Sequence, residues 1–373
     1  MIYLDEAAAA PPRPEVLEAM WPHLTRSFAN PASRHDPGLE AHRALDEARR
    51  RVAHQLGARP AEITFTSGGT ESDNAAVKGI ALAAPRGRHV LVSAVEHPAV
   101  LESVAWLGRM GFQVEQIPVD SAGVVTGEAL AAALRPDTTL VSVQYANGEV
   151  GTVQDIPLLS AMASRHEVPF HTDAVQAAGA MPLEVTQLGV QALSLAGHKL
   201  GTPKGVGVLY LRRRTPFEPL IHGGGQQRGH RSGTENVAGA VGMATALGLA
   251  SGRDVQAWRR RRDLFVSAVE QAVPGTRLTG HRSQRLPGHA SFVLEGRSGE
   301  SVLLDLQEQG VFCSSGSACA AGSSEPSPVL RAMGYSDDQA QAALRFTFGP
   351  ETPEADLDHT VEALRSRGPG LRV

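Results

Sequence analysis

Cysteine is almost missing from this chain. Only Cys313 and Cys319 occur in 373 residues. That excludes a disulfide framework and points to a reducing compartment, the cytoplasm. Long apolar runs are missing too. The longest uncharged stretch, residues 236–252, is rich in Ala and Gly and short of a comfortable bilayer crossing. A buried helix is expected there, and no membrane partner. Asp5 and Glu6 interrupt the N-terminus before any apolar segment, so no signal peptide is expected. A basic excess is absent as well: the net charge of −4 gives no reason to expect nucleic acid. Arginine clusters at 49–51, 212–214 and 259–262 sit beside apolar or acidic neighbours, so solvated helix or strand ends are expected. No metal centre is expected. His166-Glu167 with His171 resembles a zinc-protease pattern, but the second His comes one residue too late to share a helical face.

What is present is a regular alternation. Leu45, Ala48, Val52 and Leu56 recur at helical spacing, and Gly57 follows as a C-cap. Short apolar runs at 63–66, 90–93, 140–144, 168–172, 192–195 and 206–211 read as strands, most of them separated by helical stretches. This is the pattern of βαβ units in a mostly parallel sheet covered on both faces. From about residue 254 the texture changes to charged helices (259–272, 352–365) and isolated strands (290–294, 345–348). A large domain over 14–253 and a smaller α+β domain of 1–13 with 254–373 are expected, with a hinge near 253–258.

Polar residues gather at the predicted strand exits. Ser67-Gly68-Gly69-Thr70 follows the first strand, His97 the second, Asn147 the third, Asp173 the fourth and Lys199 the fifth. In an open α/β sheet the carboxyl ends of the strands form the ligand crevice, so these residues should converge. Lys199 closes an apolar stretch and is followed by the turn-rich residues 201–205. A dehydrated amine keeps a neutral, nucleophilic fraction at neutral pH. A lysine for an aldehyde and an aspartate for a pyridinium nitrogen are the minimal equipment of pyridoxal phosphate. Residues 66–70 lead into a helical stretch. They suit either a phosphate at a helix N-terminus or an ordinary cap. The small-residue, basic stretches 222–225 and 231–234 suit either phosphate or plain turns. His97 is open to two readings, a ring laid on the cofactor or a structural histidine. Arg345, flanked by apolar residues on a strand, requires a carboxylate partner. That partner is either a structural aspartate or the α-carboxylate of a substrate. Cys319 lies in a Gly/Ser/Ala-rich segment and is a candidate nucleophile, whereas Cys313 follows Val311-Phe312 and is expected to be buried.

With these residues in place the chain resembles, nearly end to end, the cysteine desulfurases of the aminotransferase class V family. The resemblance is carried by Leu4-Asp5, residues 30–33 and 65–74, Glu96-His97, residues 173–176, 197–199, 203–205, 231–234 and 314–319, and Arg345-Phe346. The long segment after Cys319 is similar to the iron–sulfur-cluster and nitrogen-fixation group. The resemblance implies the type I fold of pyridoxal-phosphate-dependent aminotransferases, with a mostly parallel seven-stranded sheet in the large domain. It implies that Lys199 holds the aldehyde and moves the α-proton, Asp173 binds the pyridinium nitrogen, Gln176 and Asn147 lie by the ring hydroxyl, and His97 stacks on the ring. Gly69, Thr70 and His198 would hold the phosphate, with Thr234 reaching it from a second subunit of a homodimer. Arg345 and Asn30 would bind substrate L-cysteine. Cys319 would take its sulfur as a persulfide, for a protein acceptor such as a cluster scaffold or thiolation enzyme, and release alanine. Four departures from the family pattern stand out. Ala196 replaces a serine, Gly148 an asparagine, Ala9 and Ala10 threonines, and the tail that engages a scaffold is not recognised.

Overall fold

A computed structural model of the chain describes residues 1–83, 86–315 and 325–366. A two-residue strand, β1 (Ile2–Tyr3), comes first. The main sheet follows: β2 (Ile63–Thr66), β3 (His89–Ser93), β4 (Gln113–Ile117), β5 (Thr138–Ser142), β6 (Phe170–Asp173), β7 (Ala192–Ala196) and β8 (Gly207–Leu211). The remaining strands are β9 (Thr276–Leu278), β10 (His289–Leu294), β11 (Val311–Phe312), β12 (Ser314–Ser315) and β13 (Ala343–Thr347). The seven strands of the main sheet lie in the order β2-β8-β7-β6-β5-β3-β4. Only β8 runs against the rest, being antiparallel to both β2 and β7. The carboxyl ends of β2, β3, β5, β6 and β7 therefore share one edge.

The central strands form because they bury every side chain. All residues of β5, β6 and β7 are buried, which accounts for their continuous apolar runs. β4 escaped the sequence reading for the opposite reason. It is an edge strand with an exposed, polar face, and only Ile117 is buried. β6 starts later than the apolar run suggests. Pro169 has no N–H for the ladder, and its carbonyl instead accepts from Val141. At its other end the strand extends to Asp173, which pairs with Ser194 of β7.

The helix Val237–Ala250 is apolar all round and buried on most sides, as the uncharged stretch implied. Asn236 caps it by accepting from Gly239 N. It packs against the helices Pro14–Thr25 and Asp36–Gln55, and a side chain at Gly242 would meet Met20 Sδ at 2.6 Å. Two of the clustered arginines are not solvated. Arg49 is buried, bonded to Asp46 of its own helix at 2.5 Å and to the distant Gln227 Oε1 at 3.2 Å, and lies over the Phe65 ring. Arg262 is buried and donates to Leu286 O at 2.8 Å. Each guanidinium is desolvated only where acceptors from other elements replace water, and a linear reading cannot see that. Among the described residues no helix is long and apolar enough to cross a membrane.

The second sheet is antiparallel, β12-β13-β10-β9. Its core is a set of edge-to-face rings, Phe265 on Phe346 and Phe348, and Phe292 on Phe346, with centroids 5.6–6.2 Å apart. The chain start belongs to this side. β1 pairs with β11, and Asp5 bridges to Thr347. The next residues, Ala7 to Ala10, are thereby led across to the exit of β7.

Gly207 in β8 lies against the loop that leaves β2. A Cβ there would come within 2.6–2.7 Å of the Gly68 backbone. Gly207→Ala is expected to destabilise the apo-protein by about 1–3 kcal/mol. In a denaturant titration the midpoint should fall with an unchanged slope.

Candidate active site

The carboxyl edge of the main sheet, the chain start and β13 enclose a cavity of about 280 Å³. Gly69 and Thr70 line one wall, at the N-terminus of the helix Gly69–Ala83. A side chain at position 69 would sit 2.8 Å from Val175 Cγ2, so glycine lets the helix start approach the residues after β6. The loop before it is anchored. Glu71 accepts Ser67 N and the Arg231 guanidinium, both at 2.9 Å. Burial works against the Glu71 charge, but these bonds prevail and hold its carboxyl below the usual range.

His97 caps the helix Pro98–Arg109, its Nδ1 accepting from Ala99 N at 3.1 Å. Burial, and Lys199 after it, pull its pKa down, with the Asp173 charge opposing them. A neutral ring that accepts on Nδ1 carries its proton on Nε2. His198 is likewise lowered, to about 4, by burial and by Lys199 and Lys204. It therefore offers a neutral N–H rather than a charge. The Lys199 amine donates to Ala8 O at 2.7 Å and to Ala7 O. Gln176 Nε2 donates to the same Ala7 carbonyl at 3.0 Å. Asp173 ends β6 with Oδ1 accepting Val175 N at 2.8 Å. Burial raises its pKa, while the Val175 bond, His97 and Lys199 pull the other way.

Asn147 lines the cavity, but its carboxamide serves the turn. Oδ1 accepts Glu149 N and Val150 N, both at 2.8 Å, and Nδ2 donates to Val95 O. It shapes the wall and is not poised as a ligand. A Cβ at Gly148 would lie 3.0 Å from Gln176 Nε2, a close contact that a small shift of the carboxamide would relieve. Ala196 is buried on the cavity wall. Ala9 and Ala10 act through their backbones, Ala9 O accepting Tyr3 Oη and Ala10 N donating to His198 O.

Arg345, in the middle of β13, resolves one open alternative. Its guanidinium donates to Asp5 Oδ1 at 2.7 Å and to Gly148 O at 3.0 Å, so a structural aspartate is present. Arg345 also faces the cavity, so a substrate carboxylate would join or displace Asp5. Two expected site residues lie elsewhere. Asn30 and Thr234 are exposed and line none of the cavity. Cys319 lies outside the described residues. Cys313 is partly buried beside Asp5 and Arg345, its thiol pushed up to about 12 by burial first and by the Asp5 charge second. Three acids missed by sequence reasoning also line the cavity, Asp73, Glu96 and Glu149. Glu149 accepts Ser327 Oγ at 2.5 Å, and burial raises its carboxyl to about 7. The adjacency of Glu96 to His97 was a usable signal. Asp73 and Glu149 had none beyond their nearness to turns.

These residues fit pyridoxal phosphate. A buried carboxylate for a ring nitrogen, an amine for an aldehyde and a helix N-terminus for a phosphate all open on one cavity. Among the described residues no cluster of His, Cys, Asp and Glu would hold a metal ion.

The model of the aminotransferase class-V family matches residues 2–360. A protein of Dictyoglomus turgidum named cysteine desulfurase IscS is 46% identical, over 97% of this chain and 93% of that protein. An IscS-like cysteine desulfurase of Mycobacterium tuberculosis is 45% identical, over 98% and 95%. Among solved structures, a NifS-like protein superposes with a TM-score of 0.91 at 35% identity, covering 98% of both chains. A structure described as SspA in complex with cysteine gives 0.83 at 33% identity, covering 95% of this chain and all of the other.

Cys313 should be chemically silent. With a pKa of about 12 its thiolate is scarce at pH 8, on the order of a thousandfold below that of a free cysteine. Peptide mapping after a brief iodoacetamide pulse should find Cys313 unmodified in the native protein and modified after unfolding. Cys313→Ala should leave stability within about 1 kcal/mol of the parent.

Proposed function

The chain belongs to the aminotransferase class-V family, and from that premise we propose that it is a pyridoxal-phosphate-dependent cysteine desulfurase. It takes sulfur from L-cysteine, releases L-alanine and keeps the sulfur as a persulfide for a protein acceptor. The observation that carries this reading is the convergence of Lys199, Asp173 and His97 on one cavity whose far wall holds Arg345.

Pyridoxal phosphate, when bound, supplies the aldehyde and the electron sink that make the α-hydrogen and the carbon–sulfur bond of cysteine labile. Lys199 would hold it covalently at rest. Its amine, Lys199 Nζ, would also serve as the base that moves the substrate α-proton. Gly69, Thr70 and His198 would bind its phosphate, His198 through a neutral N–H. Asp173 would keep the ring nitrogen charged. His97, fixed by Ala99 N, offers an Nε2–H to the ring face or to the departing group. Arg345 would take the substrate carboxylate in the bidentate manner of guanidinium groups. Cys319 as thiolate would attack the substrate sulfur. The sulfur–sulfur bond forms as the carbon–sulfur bond breaks, its electron pair stays with the β-carbon, and a proton completes alanine. No outside oxidant is needed, because the persulfide sulfur is oxidised as the β-carbon is reduced.

We further infer a division into 14–253 and 1–13 with 254–373, since β1 pairs with β11 and Asp5 bridges to Thr347 of the second sheet. A homodimer is inferred because exposed Thr234 and Asn30 line none of the cavity of their own subunit. A second copy is the simplest way to bring Thr234 to a phosphate. A cytoplasmic setting follows from the scarcity of cysteine.

Supplied with cysteine and a reductant, the holoenzyme should yield sulfide and alanine in equal amounts. Pyruvate and ammonia in place of alanine would mean elimination and overturn the reading. Lys199→Ala should lose about 10²–10⁴-fold in rate. Cys319→Ala should keep bound cofactor and release almost no alanine. After cysteine alone, the parent should carry an added sulfur on the peptide containing Cys319.

A further inference from the structure

Behind the cavity wall lies a line of polar groups that the reaction above does not use. Asp73, on the first turns of the helix Gly69–Ala83, is 1% exposed. The Ser194 hydroxyl on β7 lies near enough to favour its ionised form against burial. Ser194 Oγ lies 3.0 Å from His171 Nε2, and His171 Nδ1 lies 2.9 Å from Ser142 Oγ. Ser142, His171 and Ser194 are fully buried, on β5, β6 and β7. Asp73 Oδ1 has no hydrogen-bond partner. The nearest candidate cation is His171, at 3.6 Å. Burial drives the His171 pKa down to about 3, so the ring is neutral.

Asp73 shares its wall with Asp173 and Glu96, which are 6% and 2% exposed. A second negative charge in so dry a place repels the first and lacks water to offset its desolvation. The charge therefore settles on the carboxyl with the strongest support. Asp173 has Val175 N, His97 and Lys199. Glu96 has Gln144 N, with Oε2 unpartnered. Asp73 has a serine hydroxyl and an orphaned oxygen. Burial, then Asp173, then Glu96 raise its pKa well above the ordinary value, with the nearby Ser194 hydroxyl opposing them.

We propose that Asp73 is a positioning residue of this site. It is held as a neutral carboxylic acid at the head of the chain Ser194–His171–Ser142, and its lack of charge reserves the ionised state for Asp173. The proposal places the Asp73 proton toward Ser194. Asp73 then donates to Ser194, Ser194 donates to His171 Nε2, and His171 holds its own proton on Nδ1, facing Ser142. An ionised Asp73 can only accept, so Ser194 would donate to it and His171 would carry its proton on Nε2. A His171 proton on Nδ1 thus marks a neutral, donating Asp73.

This inference rests on the reading of Asp173 as the partner of a pyridinium nitrogen, but two of its tests need no cofactor. In the apo-protein, nitrogen-15 NMR of labelled histidine, with His171→Gln to assign the signal, should show His171 protonated on Nδ1 at pH 7. Protonation on Nε2 would overturn the proposal. The second test is stability against pH. A carboxyl raised in the folded state stabilises fully below its unfolded pKa, and that contribution is lost as pH rises through the folded value. Above about pH 4, Asp73 should therefore add up to one proton to the linkage, or up to tenfold in the unfolding constant per pH unit. Asp73→Asn should remove that increment, and a slope identical to the parent's would count against the proposal. The third test uses pyridoxal phosphate itself. Asparagine is a neutral isostere, so its dissociation constant should stay within about threefold of the parent's. Loss of an anion near the ring would weaken binding tenfold or more and would sink the idea. A parent that failed to bind pyridoxal phosphate would refute the proposed function while the two apo measurements still decided the state of Asp73. If Asp73→Asn does not fold, the His171 tautomer in the parent decides alone.

Discussion

A buried aspartate at the end of one parallel strand faces a lysine just beyond the end of the next, and the rest of the site depends on that pairing. Asp173 closes β6 and Lys199 follows β7, two strands hydrogen-bonded in register. The Asp173 charge is costly in so dry a place, because isolated buried ions are neutralised or expelled. The half-buried Lys199, held by the Ala7 and Ala8 carbonyls, and His97 work against that cost. The parallel arrangement makes this possible. It brings the carboxyl ends of β2 to β7 to one edge, where a ligand crevice can form.

The chain start completes the arrangement from the other side. The carbonyls of Ala7 and Ala8 hold the Lys199 amine, and Ala7 O also takes Gln176. This contact exists because β1 pairs with β11 and Asp5 bridges to Thr347 of the second sheet. The departures from the family pattern make sense in the same terms. Where position 148 lacks a side chain, Gln176 lies close by, and the Gly148 carbonyl accepts from Arg345 and His289. Where positions 9 and 10 lack hydroxyls, their backbone groups bind Tyr3 and His198. A site can lose side-chain donors and keep its shape when the backbone carries the contacts.

Much of this was legible in the linear order of residues. Continuous apolar runs mark strands buried on both faces, and β5, β6, β7 and β8 were visible for that reason. The residues just beyond each run were visible as site candidates, because a parallel sheet sends them to one edge. β4 was not, since an edge strand with a polar face has no apolar period to read. Asn147 was misread because an asparagine that closes a turn and one that binds a ligand look alike in a string. Arg49 and Arg262 were misread because the acceptors that let a guanidinium be buried come from distant elements.

The sequence by itself determined the class of the fold, the family, and the pairing of Lys199 with Asp173. Those depend on local periodicity and on residues whose chemistry is hard to replace. Only the tertiary structure decided where the protons and charges go. It set Arg345 against Asp5, took the Asn147 carboxamide for a turn, and buried Asp73 and Glu96 beside Asp173. Ionisation and hydrogen bonding depend on dehydration and on neighbours a few ångströms away, and those neighbours stand tens to hundreds of positions apart along the chain.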